Sequence, residues 1–189
     1  MEQLILGSQS QRRKEILEYF QYPFVQIASD FDEDSIQFQG DPEKYVLTLA
    51  LKKSEELSKK FPEALILTAD TTVYCQGKIY NKPRDLNEAK AILKELCGNW
   101  HTVYTGVVLR KGAKIFQTVE ATRVLMNPRT PEQIDAYLAK NKWQDKAGGY
   151  SIQGGSGMLV NKIDGCYYNV VGLPINALAH LFKQHNIAF

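Results

Sequence analysis

The 189-residue chain is 44% hydrophobic and 23% charged, and its 23 basic and 21 acidic residues give a net charge of +2. This composition is typical of a soluble globular protein, and so small a net charge gives no indication of a nucleic-acid or membrane partner. Cys75, Cys97 and Cys166 are too few and too widely spaced for a disulfide framework or a cysteine metal site. We therefore expect reduced thiols, a cytoplasmic location, no signal peptide and no membrane span.

The first predicted helix begins with three consecutive basic residues, at positions 12–14. An apolar run at residues 4–6 predicts a strand, residues 7–10 form a small polar connector, and apolar residues recur at helical spacing from Ile16. The first turn of a helix carries unsatisfied N–H groups and a partial positive charge, so cations there are unfavourable unless an anion binds nearby. This geometry is also one that binds phosphate. The alternative is that the three side chains simply extend into water.

The rest of the chain alternates between predicted helices and strands, with short connectors. Helices are predicted at residues 42–60, 86–96, from 131 onwards, and at 175–182, from caps and apolar periodicity. Strands are predicted at residues 64–69, 71–75, 78–81, 102–110, 114–126 and 158–163. The long hairpin spanning residues 102–126 predicts an α/β fold with a mixed sheet and argues against a purely parallel one. No linker divides the chain, so we expect a single domain over residues 1–189.

Asp70 is the strongest single candidate for chemistry. It is predicted to end the strand at residues 64–69, and ligands of α/β sheets collect at the carboxyl ends of strands. A carboxylate there can bind a divalent metal or take a proton from water. An acidic cluster at residues 30–34, which includes Glu33, could share that metal, or could be a solvated loop. Lys53 and Lys82 are further candidate cations, and a surface role is the alternative for each.

A glycine-rich segment at residues 148–157 contains five glycines in ten positions. It lacks the spacing of a P-loop, so it does not indicate that mode of phosphate binding. Glycine allows a close approach of backbone to ligand, and the amide of Gln153 could read a base edge. The alternative is a flexible hairpin loop. From the residues alone, the chain suggests a phosphorylated ligand and a metal.

Taken in order, the motifs closely resemble those of the Maf family of nucleoside triphosphate pyrophosphatases, over nearly the whole chain. The residues that carry the resemblance are 8–13 with Leu17, 49–53, 69–71, 81–83, 104–107, 149–154 and 169–174. The resemblance implies an elongated α/β fold, related to that of the inosine triphosphatases, with a cleft between two lobes. It also implies hydrolysis of a nucleoside triphosphate to the monophosphate and pyrophosphate, a divalent metal (Mg²⁺, Mn²⁺ or Co²⁺) and a homodimer.

By position, the resemblance assigns roles to individual side chains. Asp70 would accept the proton of the attacking water and, with Glu33, would hold the metal. The residues that would bind the triphosphate are Ser8, Arg13, Lys53 and Lys82. Many family members have proline where this chain has Gln11, which predicts a less rigid connector, with a tuned affinity and intact chemistry.

Three positions assign the substrate subgroup by the same resemblance. Members that act on dTTP and UTP carry the residues found here as Arg12, Thr71 and Gln153, whereas members that act on 7-methyl-GTP tend to carry tryptophan, glutamine and glutamate there. The resemblance therefore implies a dTTP/UTP pyrophosphatase. The alternatives are action on 7-methyl-GTP and a non-catalytic, nucleotide-sensing regulator of cell division.

Overall fold

The computed structural model describes residues 3–187. Within them, seven strands form one sheet: β1 (Leu4–Leu6), β2 (Phe24–Gln26), β3 (Leu65–Cys75), β4 (Lys78–Tyr80), β5 (Trp100–Lys111), β6 (Lys114–Met126) and β7 (Val160–Asp164). The α-helices are α1 (Gln11–Glu18), α2 (Pro42–Lys60), α3 (Leu86–Leu96), α4 (Pro131–Lys140), α5 (Tyr167–Val171) and α6 (Ile175–Gln184). Short 3-10 helices lie at Glu33–Ser35, Ala147–Gly149 and Gly154–Leu159. In this part of the chain, no helix has the length and apolar character needed to cross a membrane.

The sheet is mixed, as the long central hairpin predicted. Its strand order is β2-β1-β3-β5-β6-β7, with β4 beside β3. Strand β1 is parallel to both β2 and β3, because helices α1 and α2 return the chain to the same end of the sheet. The pairs β3–β5, β5–β6 and β6–β7 are antiparallel. The predicted α/β fold class is therefore confirmed.

Strand β3 is one continuous strand, so the prediction that a strand ends at Asp70 and another begins at Thr71 was wrong. Its partner β5 pairs with it without interruption from Ile66 to Tyr74, and Asp70 lies opposite Gly106 in the middle. The polar residues around Asp70 resemble a strand end when they are considered alone. Pairing with the long strand β5 keeps them in an extended conformation. The catalytic candidate therefore lies in the middle of a strand rather than at its end.

The other edge of β3 is open beside Asp70. Strand β1 pairs with it only at residues 65–67, and β4 pairs with it only at residues 73–75. Residues 68–72 therefore have no neighbouring strand on that side. Because successive side chains of a strand point to opposite faces, an open edge lets groups from both faces reach one cleft.

Two hydrophobic clusters lie along β3, one on each side of this gap. Leu65, Leu67 and Ala69 pack with apolar residues of α1 and α6, whereas Val73 and Cys75 pack with those of α3 and α4. The residues of β3 between these two clusters include Asp70, Thr71 and Thr72, which are polar. That gap is where the sheet can admit a ligand.

Several local predictions are confirmed and several elements are new. The hairpin turn at Gln76 and Gly77 is present, with both residues at positive φ. Strand β2 and helix α5 were not predicted, because three and five residues are too short for a periodic signal. The glycine-rich segment, for which a flexible hairpin loop was the alternative, instead contains two 3-10 helices and begins β7 only at Val160.

A buried histidine makes the stability of the fold depend on pH. His101 is 3% exposed, its Nε2 lies 2.7 Å from the hydroxyl oxygen of Tyr150, and burial lowers its pKa to about 4. The unfolded chain, with an ordinary histidine pKa of about 6.5, binds this proton at a higher pH than the folded protein does. We expect the free energy of unfolding to be unaffected by this group above pH 6.5, and to fall by about 3 kcal/mol as the pH drops towards 4.

Urea unfolding of the wild type and of His101→Gln at several pH values measures this contribution. Glutamine can also hydrogen-bond to Tyr150, but it does not titrate. The unfolding free energy of the variant should therefore change less between pH 6.5 and 4 than that of the wild type. If the unfolding free energy changed equally with pH in the two proteins, the histidine would not be the source of the pH dependence.

Candidate active site

A cleft of about 610 Å³ opens at the unpaired edge of β3. Its walls come from the connector after β1, the start of α1, the middle of α2, the centre of β3 and the segment before the glycine-rich stretch. Five basic residues line it: Arg12, Arg13, Lys53, Lys82 and Lys146. Four acidic residues line it: Glu33, Asp34, Asp70 and Asp145.

Asp70, Lys53 and Glu33 form a connected set of charges in this cleft. The Lys53 Nζ lies 2.6 Å from Asp70 Oδ1 and 2.8 Å from Glu33 Oε1. Asp70 and Lys53 are 6% and 7% exposed, so both partners of the first ion pair are buried. Lys53 reaches Asp70 because α2 packs against the face of β3 that carries the even-numbered side chains, where Thr68 also donates to the carbonyl oxygen of Ala50.

The two carboxyl groups differ in acidity because they differ in burial. Burial is the largest influence on Asp70 and raises its pKa above the ordinary value, against the opposing effect of Lys53. Burial also acts to raise the pKa of Glu33, but the combined charges of Lys53, Lys82 and Arg13 outweigh it and leave that pKa below the ordinary value. A carboxylate with a raised pKa is the better proton acceptor near neutral pH. This difference favours Asp70 as the base.

Arg13 spans the open edge of β3. Its guanidinium donates to the backbone oxygens of Ala69 and Gly172, each at 2.8 Å. It also donates to the hydroxyl oxygens of Thr71 at 3.0 Å and Ser8 at 3.2 Å. The carbonyl of Ala69 thus finds its partner in an arginine of α1. Arg13 is both a structural crosslink and a fixed positive charge in the wall of the cleft.

The N-terminus of helix α1 lies at this cleft. Ser10 caps it by accepting a hydrogen bond from the backbone N–H of Arg13, and no acidic residue lies in the first turn. Ser8 is 8% exposed and accepts from the backbone N–H of Ser10 at 3.2 Å. A buried hydroxyl and a helix N-terminus at the same wall suit an anionic ligand.

Lys82 is exposed at the rim, and the residue before it holds it in place. The side chain of Asn81 accepts from the Thr72 hydroxyl at 2.7 Å and donates to the Tyr45 hydroxyl at 3.0 Å, while its backbone oxygen accepts from Gly148 N–H at 3.1 Å. Within residues 3–187, Lys82 forms no ion pair. Its charge is therefore available to a ligand.

The three specificity positions are not all in the cleft. Thr71 lies in the wall of the cleft. The Thr71 hydroxyl contacts the hydroxyl of Thr105 and the guanidinium of Arg13. Arg12 also lines the cleft. The side chain of Gln153 lies outside the lining, although Ser151, which accepts a hydrogen bond from Gln153 N–H, belongs to it.

Asp145 and Lys146 are cleft residues that the sequence reasoning missed. Asp145 accepts from Arg12 through its carboxylate at 2.7 Å and through its backbone oxygen at 3.0 Å, and its carboxylate also accepts from Lys146 at 2.7 Å. Burial opposes its ionisation, but the two cations outweigh burial and lower the pKa of Asp145 to about 2. The one signal in the sequence was their position two to three residues before the glycine-rich segment.

The chain is similar over nearly its whole length to proteins of one family. Residues 3–185 match the family described as Maf-like protein. The chain is 45% identical over 186 residues to a dTTP/UTP pyrophosphatase of Chlamydia felis, covering 98% of this chain and 95% of the relative. It is 41% identical over 187 residues to a dTTP/UTP pyrophosphatase of Clostridium perfringens, with 97% of each chain covered.

Solved structures show a likeness of fold. The Ham1 protein of Staphylococcus aureus aligns with a TM-score of 0.56 at 12% identity, covering 97% of this chain and 100% of that one. A HAM1 protein of Coxiella burnetii aligns with the same TM-score at 14% identity. The family match, the full-length relatives and a cleft lined by the residues of the family's motifs agree. The chain belongs to the Maf family.

Proposed function

We propose that this protein is a nucleoside triphosphate pyrophosphatase that hydrolyses dTTP and UTP to the monophosphate and pyrophosphate. The relatives from Chlamydia felis and Clostridium perfringens, which align over nearly their full length, bear that activity in their names. The observation that carries the proposal is the buried contact between Asp70 and Lys53 inside a cleft with five basic side chains. It combines a positioned base with the charge needed to bind a phosphate chain.

In this mechanism, Asp70 accepts a proton from the water that attacks the α-phosphorus. Lys53 fixes the orientation of the Asp70 carboxylate by the 2.6 Å contact. As the bond to the leaving group breaks, negative charge accumulates on pyrophosphate, and fixed positive charges stabilise it. Arg13 and Lys82 supply two of these charges, and Ser8 contributes a hydroxyl at the wall where α1 begins.

The residues present fit a divalent cation shared with the substrate. Within residues 3–187, no group of three or more His, Cys, Asp or Glu could hold a metal ion by itself. Glu33 and Asp70 nevertheless both contact Lys53 Nζ, so the two carboxylates lie close together, and a cation bound by both would share them with that ammonium group. Mg²⁺ typically takes one or two carboxylates and completes its shell with waters and substrate phosphates. Bound there, Mg²⁺, Mn²⁺ or Co²⁺ would neutralise charge on the phosphate chain.

The preference for dTTP and UTP is proposed to depend on Arg12, Thr71 and Gln153. Arg12 and Thr71 line the cleft, which supports a contact of each with the nucleotide. The role of Gln153 stays a prediction, since its side chain lies outside the lining. The homodimer, the single-domain organisation and the cytoplasmic location also stay predictions.

A substrate panel tests the activity. We expect pyrophosphate from dTTP and UTP in the presence of Mg²⁺ or Mn²⁺, with little from 7-methyl-GTP, and loss of turnover on addition of EDTA. Orthophosphate as the first product would place the attack at the γ-phosphorus and contradict the mechanism. A preference for 7-methyl-GTP would overturn the specificity assignment. Nucleotide binding without any product would favour the nucleotide-sensing alternative.

A further inference from the structure

We infer that Lys146 is a further substrate-binding residue, which contacts the phosphate chain of the nucleotide from the segment that follows α4. This assignment rests on the proposed function. It adds a fifth cation to the residues already assigned and gives the pair Asp145–Lys146 a role in the reaction.

The position of Lys146 is fixed by its surroundings. Its side chain lines the cleft and is 13% exposed. Its backbone N–H donates to the carbonyl oxygen of Trp143 at 3.2 Å, and its carbonyl oxygen accepts from Gly149 N–H at 3.0 Å. Gly148, two residues further on, is bonded to Asn81, the residue immediately before Lys82. The segment that carries Lys146 is therefore docked beside another cation of the site.

The charges at this wall are unevenly balanced. Arg12 and Lys146 share one carboxylate, that of Asp145, and each lies 2.7 Å from it. The side chain of Asp145 is 62% exposed. Because its carboxylate is exposed, Asp145 can be solvated by water when it leaves Lys146, so a phosphate chain with several negative charges can replace Asp145 as the partner of this lysine. Two cations that share a single exposed carboxylate are suited to a ligand that carries more charge than their present partner.

Lys146 and the two arginines line the same cleft from different segments of the chain. Arg12 and Arg13 belong to the first turn of α1, whereas Lys146 follows α4, and the contact between Arg12 and Asp145 bridges these two walls. A phosphate chain bound at the start of α1 would lie between them. Lys146 would then donate a charge-assisted hydrogen bond to it.

The affinity for inorganic triphosphate, measured by calorimetry, tests this without requiring turnover. We expect Lys146→Gln to weaken binding about tenfold, the usual size of one lost charge-assisted hydrogen bond, and Lys146→Arg to restore most of it. Lys142→Gln is the matched control, because Lys142 is an exposed lysine of the same segment outside the cleft and should have no effect. Unchanged affinity in Lys146→Gln, with an unchanged melting temperature, would overturn the assignment.

A double-mutant cycle separates direct contact from an effect through Asp145. If Lys146 touches phosphate, Lys146→Gln should still weaken triphosphate binding in an Asp145→Asn background. No further loss in that background would mean that Lys146 acts only by holding Asp145, and would contradict the inference. In active enzyme, we expect the KM for dTTP to rise about tenfold with kcat changed much less. The two proposals can also fail separately. If the wild type hydrolysed no nucleotide but bound triphosphate in a way that depended on Lys146, the proposed function would fail and this inference would stand.

Discussion

Replacing Asp70 with asparagine is expected to lower the turnover of dTTP by about 10²- to 10⁴-fold while binding of the nucleotide persists. Asparagine has nearly the same shape, but it cannot accept the proton of the attacking water. Lys53, which donates to Asp70 at 2.6 Å, would meet the amide oxygen instead, and its charge would still face the cleft. Catalysis and binding should therefore separate in this one variant.

Pyrophosphate release measures the turnover of dTTP. Calorimetric titration with dTTP in the absence of turnover measures the binding of the nucleotide. Asp164→Asn is a matched control, because Asp164 is an exposed aspartate of β7 that does not line the cleft. It should behave as the wild type does. Turnover close to that of the wild type in Asp70→Asn would remove Asp70 from the proton transfer and leave the five cations as binding groups alone.

The second large effect is expected from Gly106→Ala, on the strand opposite Asp70. A Cβ at this position would lie 2.7 Å from both the carbonyl carbon and the carbonyl oxygen of Val46, and 2.8 Å from the backbone nitrogen of Leu47. These are backbone atoms of α2, so no side-chain rotation can relieve the clash. The helix would have to move away from the sheet, and overpacking of this kind costs about 3 kcal/mol of unfolding free energy.

The same displacement should reduce activity, because α2 also carries Lys53. A shift of about 1 Å in a catalytic group can lower a rate by about 10²-fold. Denaturant unfolding and dTTP turnover should be measured on the same preparation. Gly155→Ala is the matched control, since its φ is not positive and a Cβ there meets no atom within 4 Å. Wild-type stability in Gly106→Ala would show that the contact between α2 and β5 is not close enough to require glycine.

Local signals were sufficient for most of the helices and for the type of sheet. Asp41, Asp85 and Thr130 each cap the helix that they were predicted to start, because a capping side chain bonds to an N–H only two or three residues away. The central hairpin predicted an antiparallel component for a similar reason: its two strands are joined by a short turn. The residues alone indicated Asp70 as a candidate, and the resemblance to a family then assigned roles to the site residues, whose contacts no local pattern could have shown.

The sequence by itself determined the class of fold, the basic start of α1 and the family, all of which depend on residues close together or on motifs in order. Only the tertiary structure decided that Asp70 lies in the middle of a strand, because its neighbour there is Gly106 on β5. It likewise decided that one edge of β3 is left open, because β1 and β4 are each three residues long. It also decided that Arg12 meets Asp145, which lies 133 residues away. Contacts between distant segments depend on how the whole chain packs, and neither periodicity nor caps report on that.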